Sequence, residues 1–285
     1  AVGSQALLAT TTGANNVAVG YAALVANTTG TNNVAVGGNA LDALTTNSYC
    51  TAVGDAALSA NTSQYMAAFG AQALGDNTTG EENTALGFRS LRLNTTGSKN
   101  TAVGYDALYT VTTESNNVAV GYYALRLNTG GADNTAVGTE ALDANTTGDN
   151  NTAVGSQALK LNTGNKNVAV GNFAGQACTS GVNNVFIGRN AGYDATDADN
   201  NVFIGQATQN DNAGTSNQVV IGNTARSQGG GKFTVGTSSS TYTVVTMGST
   251  SWGSSSDVRL KKEITDSTAG LSFINDLRPC LLYTS

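Results

Sequence analysis

A repeat of about 17 residues constrains the fold of this 285-residue chain more than any other feature. The triplet Ala-Val-Gly, or an equivalent, occurs fourteen times, and eleven of the thirteen intervals are 17 residues while two are 16. A short, constant period is typical of a repeat architecture in which each period forms one coil that stacks on the last. The first residues of the triplets, called the anchors, are Ala1, Ala18, Ala35, Ala52, Ala68, Ala85, Ala102, Ala119, Ala136, Ala153, Ala169, Phe186, Phe203 and Val220.

Each coil has the sequence pattern of a short strand rather than a helix. In the repeat at residues 15–30, the run Val-Ala-Val is short and β-branched, Gly20 closes it, and Asn-Thr-Thr-Gly supplies further turn residues. Gly lies two residues after the anchor in all fourteen coils, which indicates a turn with positive φ or one too close to a neighbour for a Cβ atom. The sequence therefore predicts an all-β fold, a parallel β-solenoid of about fourteen coils over residues 1–222, with coils ~4.8 Å apart.

Two residue columns indicate how the coils pack. Ten coils pair an anchor Ala with Leu six residues later, whereas anchor Phe186 is paired with Gly192, so the two positions are expected to share the coil interior. The coil with Gly175 and anchor Ala169 does not follow this exchange. The valines beside the anchor then face outward, and other copies of the chain are expected to cover them. Stacked asparagines are expected to bond one another two residues before the anchor, at Asn16, Asn33, Asn83, Asn100, Asn117, Asn134, Asn151, Asn167, Asn184 and Asn201.

Composition argues against several classes of function. The net charge is −6 and no basic cluster precedes residue 259, so neither nucleic acid nor an anionic membrane is an expected partner. No apolar run is long enough for membrane insertion. Because His is absent, the usual general base and the commonest zinc ligand are missing, and no metal or cofactor is expected. Cys50, Cys178 and Cys280 show no metal or disulfide spacing and are expected to be inert buried thiols.

The repeat resembles that of a known family of surface proteins. The motif Asn-Asn-Val-Ala-Val-Gly at residues 15–20 is similar to the repeated strand in the heads of trimeric autotransporter adhesins, the YadA-like family. This resemblance spans residues 1–222 and implies a β-roll in which three chains pack their strands around one axis. The coil here is longer than the usual coil of that family. Residues 223–255, rich in Ser, Thr and Gly, are expected to form a β-rich neck or linker.

Charged residues are concentrated near the end of the chain, where six of the 32 lie within residues 257–266. This segment and Leu-Arg-Pro at 277–279 resemble the start of the self-cleaving intramolecular chaperone at the C-terminus of phage tail spikes and tail fibres, the endosialidase type. The resemblance covers residues 256–279 and implies the start of a truncated helical domain. Residues 280–285 are expected to be a non-biological tail, and the chain, which opens in mid-repeat, is expected to be cut at both ends. The matching residues are Ser256, Asp257, Arg259, Leu260 and Lys261.

The chaperone resemblance implies a serine–lysine self-cleavage. Ser256 would attack the bond between Ser255 and Ser256, and Lys261 would take its proton. A Lys can serve as base when burial or a neighbouring cation, here Arg259 or Lys262, lowers its pKa. The alternative is an ordinary helix start, with Ser256 as N-cap and Asp257 in the first turn. No activity on a separate substrate is expected, and a chain that lacks the rest of the domain is not expected to cleave itself.

Taken together, these features predict a structural and receptor-binding segment of a trimeric phage tail fibre, located in the virion, whose partner is a host cell-surface carbohydrate. The alternative is the head of a bacterial trimeric surface adhesin, which would end in a membrane-anchoring barrel. A polysaccharide-cleaving enzyme is disfavoured because no paired carboxylates recur along a cleft. An ice-binding solenoid is disfavoured because the Thr pairs of the Asn-Thr-Thr turns fail in many coils, for example at Leu44-Thr45 and Gly175-Gln176, which breaks the flat array.

Two smaller clusters each have a functional and a structural interpretation. Aromatic residues that follow the coil glycine could contact sugars, but simple stacking between coils is favoured. Three carboxylates in one turn could hold Ca²⁺, but solvated turn residues are favoured because the nonapeptide calcium repeat is absent. The aromatic residues are Tyr21, Phe88, Tyr105 and Tyr122, and the carboxylates are Asp194, Asp197 and Asp199.

Overall fold

The computed structural model describes residues 1–247, and its regular elements in that range are all β-strands. Thirteen three-residue strands follow one another in one parallel sheet, and each is paired with its neighbours in chain order. The predicted parallel β-solenoid is therefore confirmed, with about thirteen turns. The strands are β1 Val17–Val19, β2 Val34–Val36, β3 Thr51–Val53, β4 Ala67–Phe69, β5 Thr84–Leu86, β6 Thr101–Val103, β7 Val118–Val120, β8 Thr135–Val137, β9 Thr152–Val154, β10 Val168–Val170, β11 Val185–Ile187, β12 Val202–Ile204 and β13 Val219–Ile221.

Two longer strands complete the described part of the chain. Strand β14, Lys232–Gly236, pairs in parallel with β13 and so adds one more layer to the stack. Strand β15, Tyr242–Thr246, pairs with β14 in the antiparallel direction and ends the parallel series. The Ser, Thr and Gly-rich segment thus contains two strands, the second of which ends at Thr246. The predicted chaperone start at 256–279 and the tail at 280–285 lie outside the described residues.

The core is a narrow column formed by two positions of the repeat. Strand register places each anchor beside the anchor of the next coil, as with Ala18 and Ala35. Every anchor from residue 18 to residue 220 is buried, and so is the Leu six residues later in all nine coils from Leu24 to Leu159. The residues on either side of each anchor are at least partly exposed. Inward anchors and outward flanking valines were both predicted, and both are confirmed.

The exchange of volume in the core involves neighbouring coils as well as a single coil. A Cβ atom on Gly175 would lie 2.6 Å from Cδ2 of Phe186, and one on Gly192 would lie closer still to the other edge of the same ring. The Phe186 ring also stacks on Phe203, with centroids 5.8 Å apart and planes 5° from parallel. Gly175 is therefore no exception to the exchange, because it makes room for the large anchor of the following coil.

The glycine that ends each strand is required for two reasons. At Gly121, φ is +141°, a backbone conformation that residues with a side chain rarely adopt. A Cβ atom there would also lie 2.5 Å from the carbonyl oxygen of Gly138 in the next coil. Both reasons anticipated from the sequence hold, and the close approach of neighbouring coils fixes Gly at this position.

Buried asparagines two residues before the anchor bond each coil to the next. The side-chain oxygen of Asn117 accepts the backbone N–H of Asn134 at 3.0 Å, and its Nδ2 donates to the carbonyl of Gly131 at 3.0 Å. Amide-to-amide bonds also form at some steps, as from Asn184 to Asn167 at 3.1 Å. The amides thus bond one another as predicted, but most of their bonds satisfy backbone groups, which cannot be left unpaired when buried.

A second buried amide column, nine residues after the anchor, was not predicted. Nδ2 of Asn94 donates to Oδ1 of Asn77 at 2.7 Å, and Nδ2 of Asn77 donates to Oδ1 of Asn61 at 2.9 Å. The column is broken where Val111 replaces Asn, and there Oδ1 of Asn94 has no hydrogen-bond partner. The sequence alone suggests surface turns for these residues, because Asn is favoured in turns as well.

Candidate functional site

The residues predicted to carry self-cleavage, Ser256 and Lys261, lie outside the described residues, so the candidate sites of the described part are on the solenoid surface. Within residues 1–247, no group of three His, Cys, Asp or Glu side chains could hold a metal ion. The same residues contain no helix with the length and apolarity needed to cross a bilayer.

The carboxylates considered as a calcium site are engaged in separate hydrogen bonds. Oδ1 of Asp194 accepts the backbone N–H of Asn210 at 2.7 Å, and Oδ1 of Asp199 accepts that of Val182 at 2.8 Å. Asp197 accepts the hydroxyl of the residue before it at 2.9 Å. Each carboxylate therefore stabilises a turn or a coil-to-coil contact. The favoured interpretation as solvated turn residues fits the exposed Asp197, whereas Asp194 and Asp199 are partly buried.

Cys50 and Cys178 are fully buried free thiols in interior columns of the solenoid. Burial raises the pKa of Cys50 to about 11 and that of Cys178 to about 12. Both thiols are therefore protonated at neutral pH, and a protonated thiol is a poor nucleophile. The predicted burial is confirmed for these two thiols, whereas Cys280 lies outside the described part.

The outward side of the sheet carries a continuous apolar stripe. The residue after each anchor is apolar in every coil and lies in register with its counterpart in the next coil. Eight of the fifteen side chains are exposed, for example Leu86 at 49% and Val170 at 41%, and the other seven are partly exposed. Monomeric soluble proteins rarely expose a contiguous apolar surface of this kind, which usually marks an interaction site. The apolar stripe comprises Val2, Val19, Val36, Val53, Phe69, Leu86, Val103, Val120, Val137, Val154, Val170, Ile187, Ile204, Ile221 and Val235.

A column of threonines ten residues after the anchor is unbroken over twelve coils, from Thr11 to Thr196. The two examples quoted from the sequence do not interrupt this row. The Thr pairs do fail in many coils, as predicted, because the residue after the row threonine is not Thr at Ser63, Gly130, Gly164, Ser180 and Asp197. In eight of the twelve, Oγ1 donates to the carbonyl of the threonine in the next coil. Because these hydroxyl protons bond the backbone, the row is poorly suited to ordering surface water, and ice binding is disfavoured on this additional ground.

Four aromatic residues of three consecutive coils form a stacked row, the aromatic ladder: Phe88, Tyr105, Tyr122 and Tyr123. Ring centroids of Phe88 and Tyr105 are 5.5 Å apart, as are those of Tyr105 and Tyr122. Tyr123 packs on Tyr122 at 3.9 Å. The predicted stacking is confirmed for Phe88, Tyr105 and Tyr122, which remain 40% to 46% exposed, but Tyr21 stacks on no ring of the described residues. The ladder is therefore an ordered surface as well as a packing element.

Arg89 holds one end of the aromatic ladder. Its guanidinium carbon lies 5.0 Å from the ring centroid of Phe88 and 5.6 Å from that of Tyr105. Asp106 fixes the guanidinium through two bonds, Nε to Oδ1 at 2.9 Å and Nη2 to Oδ2 at 2.6 Å. These bonds to Asp106 raise the pKa of Arg89, so the group stays charged. A bidentate pair of this kind fixes orientation as well as charge.

Arg126 holds the other end in the same manner. Its guanidinium carbon lies 4.2 Å from the ring centroid of Tyr123, and its Nε donates to Oδ1 of Asp143 at 3.0 Å. Burial raises the pKa of Asp143, and the charge of Arg126 opposes that rise. The hydrogen bond with Tyr123 raises the pKa of Tyr122 to about 12, so its hydroxyl is neutral at physiological pH.

The arginines and their carboxylates were not identified from the sequence, although a signal is present. Arg89 and Asp106 are 17 residues apart, and so are Arg126 and Asp143. One period brings a residue next to its counterpart in the neighbouring coil, so opposite charges at this interval predict an ion pair.

No protein-family profile, curated protein or solved structure matches the chain. The adhesin and chaperone resemblances therefore remain predictions, and the functional proposal depends on the fold and on the two exposed surfaces.

Proposed function

We propose that this chain is the structural and receptor-binding segment of a trimeric phage tail fibre, matured by release of a C-terminal folding chaperone. The apolar stripe is the observation that supports the trimer. Each strand carries at least one apolar residue on its outward side, although five strands also carry Thr there, and the coil interior covers only the anchor side. A strand that is apolar on both faces requires a cover on each, and copies of the same stripe around one axis would supply the second cover along its whole length.

The rest of the proposal concerns location and partner. Each coil is bonded to the next by the backbone and by buried amides, which suits a stiff shaft. At ~4.8 Å per coil, thirteen steps give a length of roughly 60 Å. A fibre tip in a virion must contact the cell it infects, and we assign a cell-surface carbohydrate as the receptor. The resemblance of residues 256–279 to tail-spike chaperones supports a phage origin.

The second candidate is the head of a bacterial trimeric surface adhesin, supported by the Asn-Asn-Val-Ala-Val-Gly motif. Both candidates are trimers, so packing of the apolar stripes against one another does not distinguish them. The two differ in the domain that the natural gene encodes after the repeats: a self-cleaving chaperone for the tail fibre, or a membrane-anchoring barrel for the adhesin. Sequencing the gene beyond the segment at 256–279 would separate them.

Sedimentation equilibrium of the full chain tests the assembly. The expected mass is three times the 28.7 kDa of one chain. In the middle of the apolar stripe, Val120→Asp should shift the protein towards monomer, because buried carboxylates without partners are costly. Thr147→Asp, at an exposed turn position, is the matched control and should leave the mass unchanged. A monomeric wild-type chain would contradict the trimer.

Self-cleavage is tested on the chain joined to a complete chaperone domain, by denaturing gel and mass spectrometry. We expect release of a C-terminal piece that begins at Ser256. Ser256→Ala and Lys261→Ala should each block the release, whereas Ser267→Ala, at a serine to which the resemblance gives no role, should not. An intact wild-type product would remove the catalytic proposal without affecting the trimer.

A further inference from the structure

The repeat itself provides a comparison for the aromatic ladder. The position three residues after the anchor exists in every coil, yet it is aromatic in three consecutive coils and otherwise only at Tyr21. In other coils it holds small or polar residues such as Gly38, Ala71 and Thr139, and those coils stack in the same register. The solenoid therefore does not need aromatic rings at this position, and their concentration in one place requires another explanation.

The ladder is preorganised for contact with a ligand. Its rings are held by each other and by two guanidinium groups, and each guanidinium is in turn fixed by a carboxylate. Ordered side chains lose little conformational entropy when a ligand binds. Tyrosine and arginine are also the residues in which binding energy is most often concentrated at protein surfaces.

The charges of the ladder indicate a neutral ligand. Arg89 is paired with Asp106 at 2.6 Å, and Arg126 with Asp143 at 3.0 Å, so the two cations are matched by two anions. Such pairs leave little field to attract an acidic ligand. The polar groups that border the rings are tyrosine hydroxyls and guanidinium groups. The Tyr105 hydroxyl, for example, accepts a hydrogen bond from Arg89 at 3.3 Å.

We propose that the aromatic ladder is a binding surface for a neutral oligosaccharide. Sugar rings combine apolar C–H faces with a rim of hydroxyls, which matches rings bordered by hydroxyl and guanidinium groups. The row spans two steps of 5.5 Å, so consecutive sugar units could lie along it. This inference rests on the proposed receptor-binding function, and it names the surface and the ligand class.

The test uses the full chain and a printed panel of neutral hexose and N-acetylhexosamine oligosaccharides, with sialylated and uronate-containing counterparts. Calorimetry with the strongest neutral binder then compares variants. Tyr105→Ala and Tyr122→Ala should each weaken binding about tenfold or more, as truncation of an aromatic anchor does. Tyr49→Ala is the matched control, because Tyr49 and Tyr65 are also exposed and stacked, at 5.7 Å, in another column of the repeat. Its affinity should be unchanged.

Several results would overturn the inference. These are the absence of any neutral binder on the panel, preference for the acidic sugars, or equal affinity of the ladder variants and the wild type. Loss of the assembled mass on Tyr105→Ala would also overturn it, since the ladder would then be an interface between copies. A monomeric wild-type chain that binds neutral sugars through the ladder would reject the trimer but keep this inference, so the two failures are distinguishable.

Discussion

At the scale of single residues, the interior of the solenoid is held by amides whose bonding depends on the neighbouring coil. Where the next coil lacks the expected donor, a buried oxygen is left without a partner, as at Oδ1 of Asn94 and of Asn27. The positions that should donate are occupied by Val111 and Leu44. A buried polar atom without a partner costs about 1–3 kcal/mol, so these interruptions are local weaknesses.

Val111→Asn should repair one of them. The new amide would donate to Oδ1 of Asn94, as Asn94 itself does to Asn77. We expect an increase in the free energy of unfolding of about 1 kcal/mol, measured by chemical denaturation. Val111→Ala removes apolar volume without supplying a donor and should lower it by about 1–2 kcal/mol. An Asn variant less stable than the Ala variant would show that the amide column does not govern this site.

Asp42 should make stability depend on pH. Burial raises its pKa above the ordinary value of 3.8, against the opposing effect of two backbone hydrogen bonds. Because the folded-state pKa of Asp42 is raised, its protonated form stabilises the fold. This contribution to the free energy of unfolding is fully present below pH 3.8 and is lost as the pH rises through the folded-state pKa. We therefore expect Asp42→Asn to melt at a higher temperature than the wild type at pH 7, and the gap to close at about pH 3.5. A variant that melts lower at pH 7 would contradict this sign.

At the scale of the coil, each three-residue strand is followed by a glycine turn. This turn lets the backbones of neighbouring coils approach closely. Gly121→Ala should lower the free energy of unfolding by about 2 kcal/mol or more, because positive φ and a backbone clash act together. Gly130→Ala is the control, since its Cβ would meet Thr147 Cγ2 at an ordinary 3.5 Å. It should leave stability within about 1 kcal/mol. Equal thermal shifts for the two variants would contradict the role of the turn.

Features of the coil could be predicted where the same residue type recurs at the same position of every repeat. The glycine after the strand and the inward orientation of the anchor could be predicted because both positions are occupied in the same way in nearly all repeats. The burial of the amide column that contains Asn77 could not be predicted, because Asn followed by Thr is also typical of exposed turns. Gly175 was misjudged because its partner, Phe186, belongs to the following coil. Pairs such as Arg89 with Asp106 required comparison across one period, not within a coil.

At the scale of the whole molecule, each coil contacts its neighbours, so local order is transmitted along the stack. The sequence predicts a spine of this kind, and it also predicts that the outward valines need a cover. The solenoid is confirmed. The exposed apolar stripe supports the prediction that the outward valines need a cover. Self-cleavage by Ser256 stays a prediction, because that residue lies outside the part of the chain that the structure describes.

A density map of the assembled particle, viewed in cross-section, is the most direct test of the central claim. We expect three solenoids around one axis, with the apolar stripe of each, from Val2 to Val235, turned towards that axis. A single solenoid with those side chains in solvent, or a pair joined through another face, would contradict it.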